Sequence, residues 1–403
     1  MLRYKEVNII MHNIRKITDN LIYIGCSDRK LALFESAYKV PDGVSYNSYL
    51  LKDEKTVLFD TVDKSCDVQF FKNLEAALNG RSLDYLVIHH MEPDHAALIE
   101  CVLYKYPETK IVCTAKAEQM IRQFFDFDFN ALVVKEGDAL NTGKHEFQFI
   151  LAPMVHWPEV MLSYDKTTKT LFSADAFGSF GAINGILYDN TNIDEQRRYY
   201  TNIVGKYGMQ VQMLLKKAAN LNIEMICPLH GTILKNDVKL VVEKYNKWSL
   251  YEPEENGVLI AYSSVYGGTE NVLDILAGKL ADNGVSNIKM FNLSYADHSK
   301  VLAEAFKYSH IVLGSTTYNA GIFESMQTFL HHLVSHNLQN RKFVLIENGS
   351  WAATCGGQMK AELEKLKGSE FLNDNFCIKS TLKKEQIPEL DNVVNTIVNS
   401  LKV

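Results

Sequence analysis

The chain has 403 residues, 47% hydrophobic and 22% charged, with a formal net charge of −6 at pH 7. That length exceeds one ordinary core and implies two to three domains. The mild negative charge, without any Lys/Arg block, argues against a nucleic-acid binder, and the longest apolar runs are strand-sized, which excludes a membrane span. Met1–Ile10 lacks the apolar stretch a secretory signal needs, and Met11 offers an alternative start. Seven cysteines, at 26, 66, 101, 113, 227, 355 and 377, are widely spaced and include no Cys-x-x-Cys pair. Such spacing fits reduced thiols in a cytoplasmic protein, most of them small buried hydrophobes, and excludes both a disulfide framework and a four-cysteine iron domain.

In chain order, residues 14–60 alternate short apolar runs with turn signals (Leu21–Ile24, Ser45–Leu51, Val57–Asp60), the pattern of antiparallel strands at a sheet edge. A helix over 66–78 and a strand over 83–88 lead into Ile88-His89-His90-Met91-Glu92-Pro93-Asp94-His95, followed by a helix over 96–103. His90, Glu92, Asp94 and His95 thus place two imidazoles and two carboxylates at one strand-to-helix turn. A strand over 110–113 and a helix over 115–125 continue an α/β sandwich with a strong antiparallel component. Three further ligand-type residues follow strands in the same way: His156 after 147–152, Asp175 after 170–174 and His230 after 223–228. Loops at strand ends are free to carry chemistry while the sheet stays rigid. A lone histidine is more often a hydrogen-bonded core residue, but seven ligand types at four strand ends make a metal site the better reading. His89 points the opposite way on an extended chain and reads as structural. His145, in a Lys/Glu-rich turn, and His12 read as solvated; His331 and His332 fall on a helix without a role; Trp157 reads as a wall of the metal pocket.

Trp248–Gly257, rich in acids with Pro and Gly, reads as the linker between a domain over 1–250 and another over 257–403. Beyond it, strands over 258–262, 288–291, 310–313, 343–346 and 377–378 alternate with helices, the pattern of a flavodoxin-like doubly wound parallel sheet. The first loop, Ser263-Ser264-Val265-Tyr266-Gly267-Gly268-Thr269, offers hydroxyls, glycines and a helix N-terminus to a phosphate dianion, and lacks the Lys of a triphosphate loop. Two more strand ends, Ser315-Thr316-Thr317-Tyr318-Asn319 and Asn348-Gly349-Ser350-Trp351, add polar groups and one large aromatic each. Together the three loops suit a flat isoalloxazine ring, which needs aromatic faces and polar partners at its edge.

The His-x-Glu-x-Asp-His spacing resembles the metallo-β-lactamase superfamily, with Glu92 where its hydrolases usually carry a second His. With His-Trp-Pro at 156–158, Ser-Ala-Asp-Ala-Phe-Gly at 173–178, Leu-His-Gly at 229–231 and the Tyr-Gly-Gly-Thr and Asn-Gly-Ser-Trp loops, the chain from about residue 14 to 400 resembles the flavodiiron proteins, or A-type flavoproteins. The resemblance implies an N-terminal metallo-β-lactamase-like αββα sandwich followed by a flavodoxin-like FMN domain. It implies one iron on His90, Glu92 and His156, another on Asp94, His95 and His230, and Asp175 as the bridge, with no catalytic residues beyond these ligands. In some members of the family one histidine of the set does not ligate, and the assignment of His95 is the one this bears on. Imidazoles and carboxylates without a thiolate suit a redox-active iron pair.

The activity so implied is reduction of O2 to water or of NO to N2O, with electrons passing through FMN from an external donor. Rubredoxin is the donor the resemblance favours and a reduced deazaflavin its alternative. A small domain spans about 30 Å, so cofactors at the outer ends of two domains call for a head-to-tail homodimer, or a dimer of dimers, the arrangement known in the family. Two rivals stand beside this reading: a dizinc hydrolase carrying a flavodoxin domain, which Glu92 disfavours, and an electron-transfer flavoprotein with a vestigial metal site, which the complete ligand set disfavours.

Overall fold

The structure is a computed structural model that describes residues 12–402; the leader and start positions considered above lie outside them. The chain forms two compact units. One takes the chain up to Gln196 together with Met213–Val242, and the other takes Arg197–Gln212 together with the chain from Glu243 onward.

In the first unit two sheets face each other. One runs, in spatial order, Arg15–Lys16, Leu21–Tyr23, Tyr49–Lys52, Thr56–Phe59, Tyr85–Val87, Lys110–Thr114 and Ala131–Val134. Its early strands pair antiparallel and those from Thr56–Phe59 onward pair parallel. The other sheet runs Ala139–Asn141, Glu146–Leu151, Met161–Asp165, Thr170–Phe172 and Met225–Cys227, antiparallel except for its last pair. Tyr49, Phe59, Val87 and Val112 of the first sheet meet Phe147, Phe149, Met161 and Phe172 of the second in one core. The rings of Phe59 and Phe172 stack at 4.1 Å. Fully burying each such side chain contributes about 1.5–3 kcal/mol. Helices Asp67–Leu78 and Ala115–Phe124 pack on the first sheet through buried Phe70, Leu74, Ala117 and Ile121. Thr56–Phe59 is therefore covered on both faces, and all four of its residues are buried. The architecture is the expected αββα sandwich.

Two local readings need correction. The expected helix over 96–103 is two pieces, Pro93–Ala96 and Ile99–Lys105. The carbonyl of His95 is taken by the Thr61 amide at 2.9 Å and the Thr61 hydroxyl at 2.6 Å, which diverts an acceptor a continuous helix would use. His145 is not solvated but buried, although the composition of its turn is polar. Its Nδ1 lies 2.8 Å from Asp165 Oδ2 and its Nε2 3.0 Å from Asn20 Nδ2. The turn is pulled inward because Asp53 Oδ2 accepts from Lys144 N at 2.7 Å, His145 N at 3.0 Å and Thr142 Oγ1 at 2.9 Å.

The second unit is a doubly wound sheet. Its parallel strands lie in the order Ile288–Asn292, Glu255–Tyr262, Tyr308–Tyr318 and Lys342–Asn348, with Glu370–Phe371 and Phe376–Ile378 sharing the far edge. By chain position this is 2-1-3-4-5, the flavodoxin-like order, whose reversal point lies between the first and third strands. The stretch 248–257 is no loose linker: helix Val238–Ser249 runs into it and the strand Glu255–Tyr262 begins before it ends. Trp248 is fully buried and donates to Glu254 Oε1 at 2.6 Å, while Glu254 also pairs with Arg197 and, at 2.5 Å, with Lys244. Burial opposes the Glu254 charge, but these donors hold its carboxyl below its ordinary value. Composition signals a turn here; the anchoring of Trp248 and Glu254 depends on residues distant in the chain.

The Asp165 carboxylate raises the His145 pKa above 6.5, against the smaller opposing effect of burial. A raised folded-state pKa gives stability that is complete below the unfolded value and is lost as pH rises through the folded one. Asp165→Asn is expected to cost about 1.5–3 kcal/mol at pH 6, the range for a hydrogen bond to a charged group, and clearly less at pH 9, by denaturant titration at each pH.

Candidate metal centre

The strand Tyr85–Val87 ends in the turn that carries the first four ligand-type residues, and this turn is fixed from beneath. Asp60 ends the strand Thr56–Phe59 in the left-handed region, φ 53°, and its Oδ1 accepts from His89 N at 2.7 Å. The His89 ring lies 2.5 Å from Asp60 Oδ2 through Nδ1 and 2.7 Å from Ser163 Oγ through Nε2. His89 therefore ties the two sheets and points away from the cluster, as its place on an extended chain implies. With His89 turned down, His90 is turned up. Pro93 at the first position of the next helix turns the chain so that Asp94 and His95 face the same centre.

All seven ligand-type residues converge and are buried. His90, Glu92, His156 and Asp175 form one group able to hold a metal ion, and Asp94, His95 and His230 another. In the first, His156 Nε2 lies 3.2 Å from His90 Nε2, 3.0 Å from Glu92 Oε2 and 3.1 Å from Asp175 Oδ2. In the second, His95 Nε2 lies 3.0 Å from His230 Nε2 and 3.3 Å from Asp94 Oδ2. Asp175 faces both, its Oδ1 being 3.2 Å from His95 Nε2. Two imidazole Nε2 atoms at such distances point lone pair at lone pair unless a cation or a proton lies between them. Both oxygens of Asp94 and Oδ1 of Asp175 are buried without a hydrogen-bond partner. Left unmet, each would cost roughly 1–3 kcal/mol or more; a bound cation removes the deficit. The residues fit a pair of metal ions.

The electrostatics agree. Burial disfavours charge throughout, yet Asp175, Glu159 and Glu92 raise His90 well above its ordinary value. Asp175 and Glu92 likewise raise His156 to about 9 against burial. Despite the same burial, Glu92 and Asp175 are held far below the carboxylate range by the imidazoles around them. The pocket demands positive charge where the Nε2 atoms meet.

Several supports escape the ligand motif. Glu159 Oε1 lies 2.8 Å from His90 Nδ1 and accepts from Met91 N at 2.8 Å. Its position three residues beyond His156 was the available signal. His230 Nδ1 donates to the Ser45 carbonyl at 2.7 Å, and Gly231 N to Ser45 Oγ at 2.7 Å; nothing in the sequence near Ser45 announces this. Phe34 and Tyr46 set ring edges against His230 at centroid distances of 5.4 and 5.9 Å. Trp157 walls the other group, 5.3 Å from the His90 ring.

In the second unit four strand ends are joined by hydrogen bonds. Thr269 Oγ1 lies 2.9 Å from Thr316 Oγ1 and accepts from Asn348 Nδ2 at 3.3 Å, while Asn348 Oδ1 accepts from Ser380 N at 2.9 Å. Ser380, two residues beyond the expected strand 377–378, was missed because it meets Asn348 through backbone atoms, which its side chain does not announce. Gly268 opens helix Gly268–Asp282, and a Cβ there would lie 2.0 Å from the Ser380 carbonyl, so only glycine fits. Ser264 Oγ accepts from Gly267 N at 3.1 Å and so shapes the turn. Ser263 turns inward to Ser325 Oγ at 2.8 Å, and the Ser315 side chain is also buried. Thr317 Oγ1 accepts from Thr354 N at 3.0 Å, Asn319 turns the chain at φ 50°, and Ser350 Oγ meets Ser380 Oγ at 2.8 Å beside Gly349. Tyr266 is 99% and Trp351 93% exposed, with Tyr318 and Val265 partly so. Exposed aromatics at the reversal point of a doubly wound sheet fit a planar ring ligand.

Residues 44–231 match the family model described as ODP family beta lactamase. The solved structure of rubredoxin oxygen:oxidoreductase from Desulfovibrio gigas is similar at TM-score 0.91 and 28% identity, covering 97% of this chain and 99% of that one. The flavodiiron protein of Giardia intestinalis is similar in fold, at TM-score 0.90 and 22% identity, over 97% and 96%. The anaerobic nitric oxide reductase flavorubredoxin of Vibrio vulnificus is 30% identical over 357 residues, covering 86% of this chain and 72% of that protein. The chain belongs to the flavodiiron protein family. Its cofactors are accordingly FMN and a pair of irons, and the two clusters of polar groups described above fit them.

Among the ligand supports of this flavodiiron chain, Glu159 gives the cleanest test. Glu159→Gln keeps an acceptor for Met91 N but removes the charge facing His90. Iron affinity is expected to fall about 10–100-fold, as for other carboxylates behind a metal-bound histidine, measured by competition with a chelator.

Proposed function

We propose that this flavodiiron chain reduces O2 to water, NO to N2O, or both, in the cytoplasm, with electrons entering through FMN. One iron is assigned to His90, Glu92 and His156, the other to Asp94, His95 and His230, with Asp175 as bridge. The observation that carries the reading is the placement of Asp175: one oxygen 3.1 Å from His156 of the first group, the other 3.2 Å from His95 of the second. When bound, the irons supply adjacent one-electron reductants and FMN passes on electrons singly or in pairs.

The chain's own residues do the rest. Glu159 and the Ser45 carbonyl fix the His90 and His230 rings through Nδ1, so that Nε2 of each faces the centre. Phe34, Tyr46 and Trp157 keep bulk water from the imidazoles. Glu92 gives the site an anionic oxygen donor where hydrolases of this fold carry a neutral imidazole, favouring a metal that changes oxidation state. In the FMN domain, proposed as 257–403 beside a diiron domain over 1–250, the 263–269 loop and the N-terminus of helix Gly268–Asp282 receive the phosphate. Tyr266, Tyr318 and Trp351 offer faces to the ring, and residues 315–319 and 348–351 line its edge. A rubredoxin-type protein is the proposed donor, with reduced deazaflavin as the alternative, and a head-to-tail homodimer, or a dimer of two such dimers, the working assembly.

Anaerobically reduced protein mixed separately with O2 and NO in a stopped-flow instrument tests the activity and ranks the gases. Asp175→Ala and His90→Ala are expected to lower gas reduction at least about a hundredfold, the upper end of what losing a partner behind a metal ligand costs, while FMN absorbance per chain is unchanged. Unaltered turnover, or two zincs and no iron per chain after growth with iron, would overturn the reading.

A further inference from the structure

Away from the metal centre, the first unit holds a pair of thiols whose neighbours in the chain reach that centre. Cys26 lies on the strand Cys26–Asp28, and Cys66 ends the short helix Lys64–Cys66 that packs beside it. Both thiols are free; Cys26 is buried and Cys66 half-buried. Ser65 Oγ donates to Asp28 Oδ2 at 3.2 Å, which fastens the two elements one residue from Cys66. Both cysteines line one cavity of about 670 Å³, together with Arg15, Arg29 and Tyr23.

From this juxtaposition we infer that Cys26 and Cys66 form a peroxide-oxidisable dithiol, a reversible modification site in which Cys66 is the attacking sulfur and Cys26 the resolving one. Interaction between the two thiols lowers the Cys66 pKa and, together with burial, raises that of Cys26. Ser65 Oγ, 4.0 Å from the Cys66 sulfur, acts in the same direction, while burial and the carboxylates of Asp28 and Asp63 oppose it. The more acidic thiol is also the more open one, which is the order attack requires. The Cys66 thiolate attacks one oxygen of hydrogen peroxide; an S–O bond forms, the O–O bond breaks, and the departing hydroxide leaves as water after taking a proton. The Cys26 sulfur then attacks the Cys66 sulfur; an S–S bond forms, the S–O bond breaks, and the second hydroxide leaves as water with the Cys26 proton. Two thiols lose two electrons and one peroxide becomes two waters.

The disulfide would close the loop 26–66, and this loop supplies Phe34, the Ser45 carbonyl and Tyr46 to His230. Oxidation therefore brackets both ends of the segment that roofs the second metal group. The inference stands on the two cysteines alone and does not depend on which metals the centre binds.

The test uses full-length reduced protein, as isolated with iron and in parallel after zinc substitution. Each is exposed to a small excess of hydrogen peroxide, quenched with catalase, alkylated and mapped by mass spectrometry. The expected result is a Cys26–Cys66 linked peptide in both forms, reversed by dithiothreitol, with the exposed Cys101 still alkylated. Cys26→Ser is expected to halt at a sulfenic acid on Cys66 that dimedone traps, and Cys66→Ser to give neither product. In untreated protein Cys66 is expected to alkylate at least about tenfold faster than Cys26. Full alkylation of both thiols after peroxide, linkage of either to another cysteine, or a link in the iron form alone would overturn the proposal.

Discussion

The site of the first unit is organised around one carboxylate. Asp175 lies fully buried, with His156 and His90 on the side of one oxygen and His95 and His230 on the side of the other. No set of hydrogen bonds among these groups satisfies every atom, because ionised carboxylates only accept and imidazole lone pairs face one another. The unmet need is for cations. The sandwich holds the need in place: four loops, from four strands in two sheets, end at one point because the sheets are locked face to face through Phe59, Phe172 and the bridge from His89 to Ser163.

That rigidity explains the division of labour around the site. Groups that touch the centre come from loops, and groups that aim them come from the sheet or from backbone atoms the sheet fixes. Asp60 holds His89 and thereby the direction of His90, and the Ser45 carbonyl aims His230. Strain is placed where this over-determination can bear it, since Asp60 and Ala174 both adopt left-handed backbone beside the site.

Much of this was legible in the sequence because ligand chemistry is local. Histidines and acids following apolar runs named all seven residues that converge, and the alternation of strands with helices beyond residue 257 named the doubly wound sheet. What was hidden depended on distance in the chain. His145 sits in a polar turn yet is buried, because its partners are Asp165 and Asn20. The stretch 248–257 has linker composition yet is anchored, because Arg197 reaches Glu254. Glu159 and Ser45 matter through what they aim, which no ligand spacing records. Ser263 and Ser315 belong to loops of the right composition, but strand geometry turns their side chains inward.

The imidazoles are not held alike. His90 and His230 are each anchored through Nδ1, whereas Nδ1 of His95 is buried without a partner. Nothing anchors the His95 ring at Nδ1, so its orientation rests on packing and on what its Nε2 meets at the centre, where His230, Asp94 and Asp175 lie within 3.0–3.3 Å. The cluster is thus stiff at two corners and compliant at a third. A cation of a different size held among these residues would be accommodated first by movement of His95, the ring without an Nδ1 anchor.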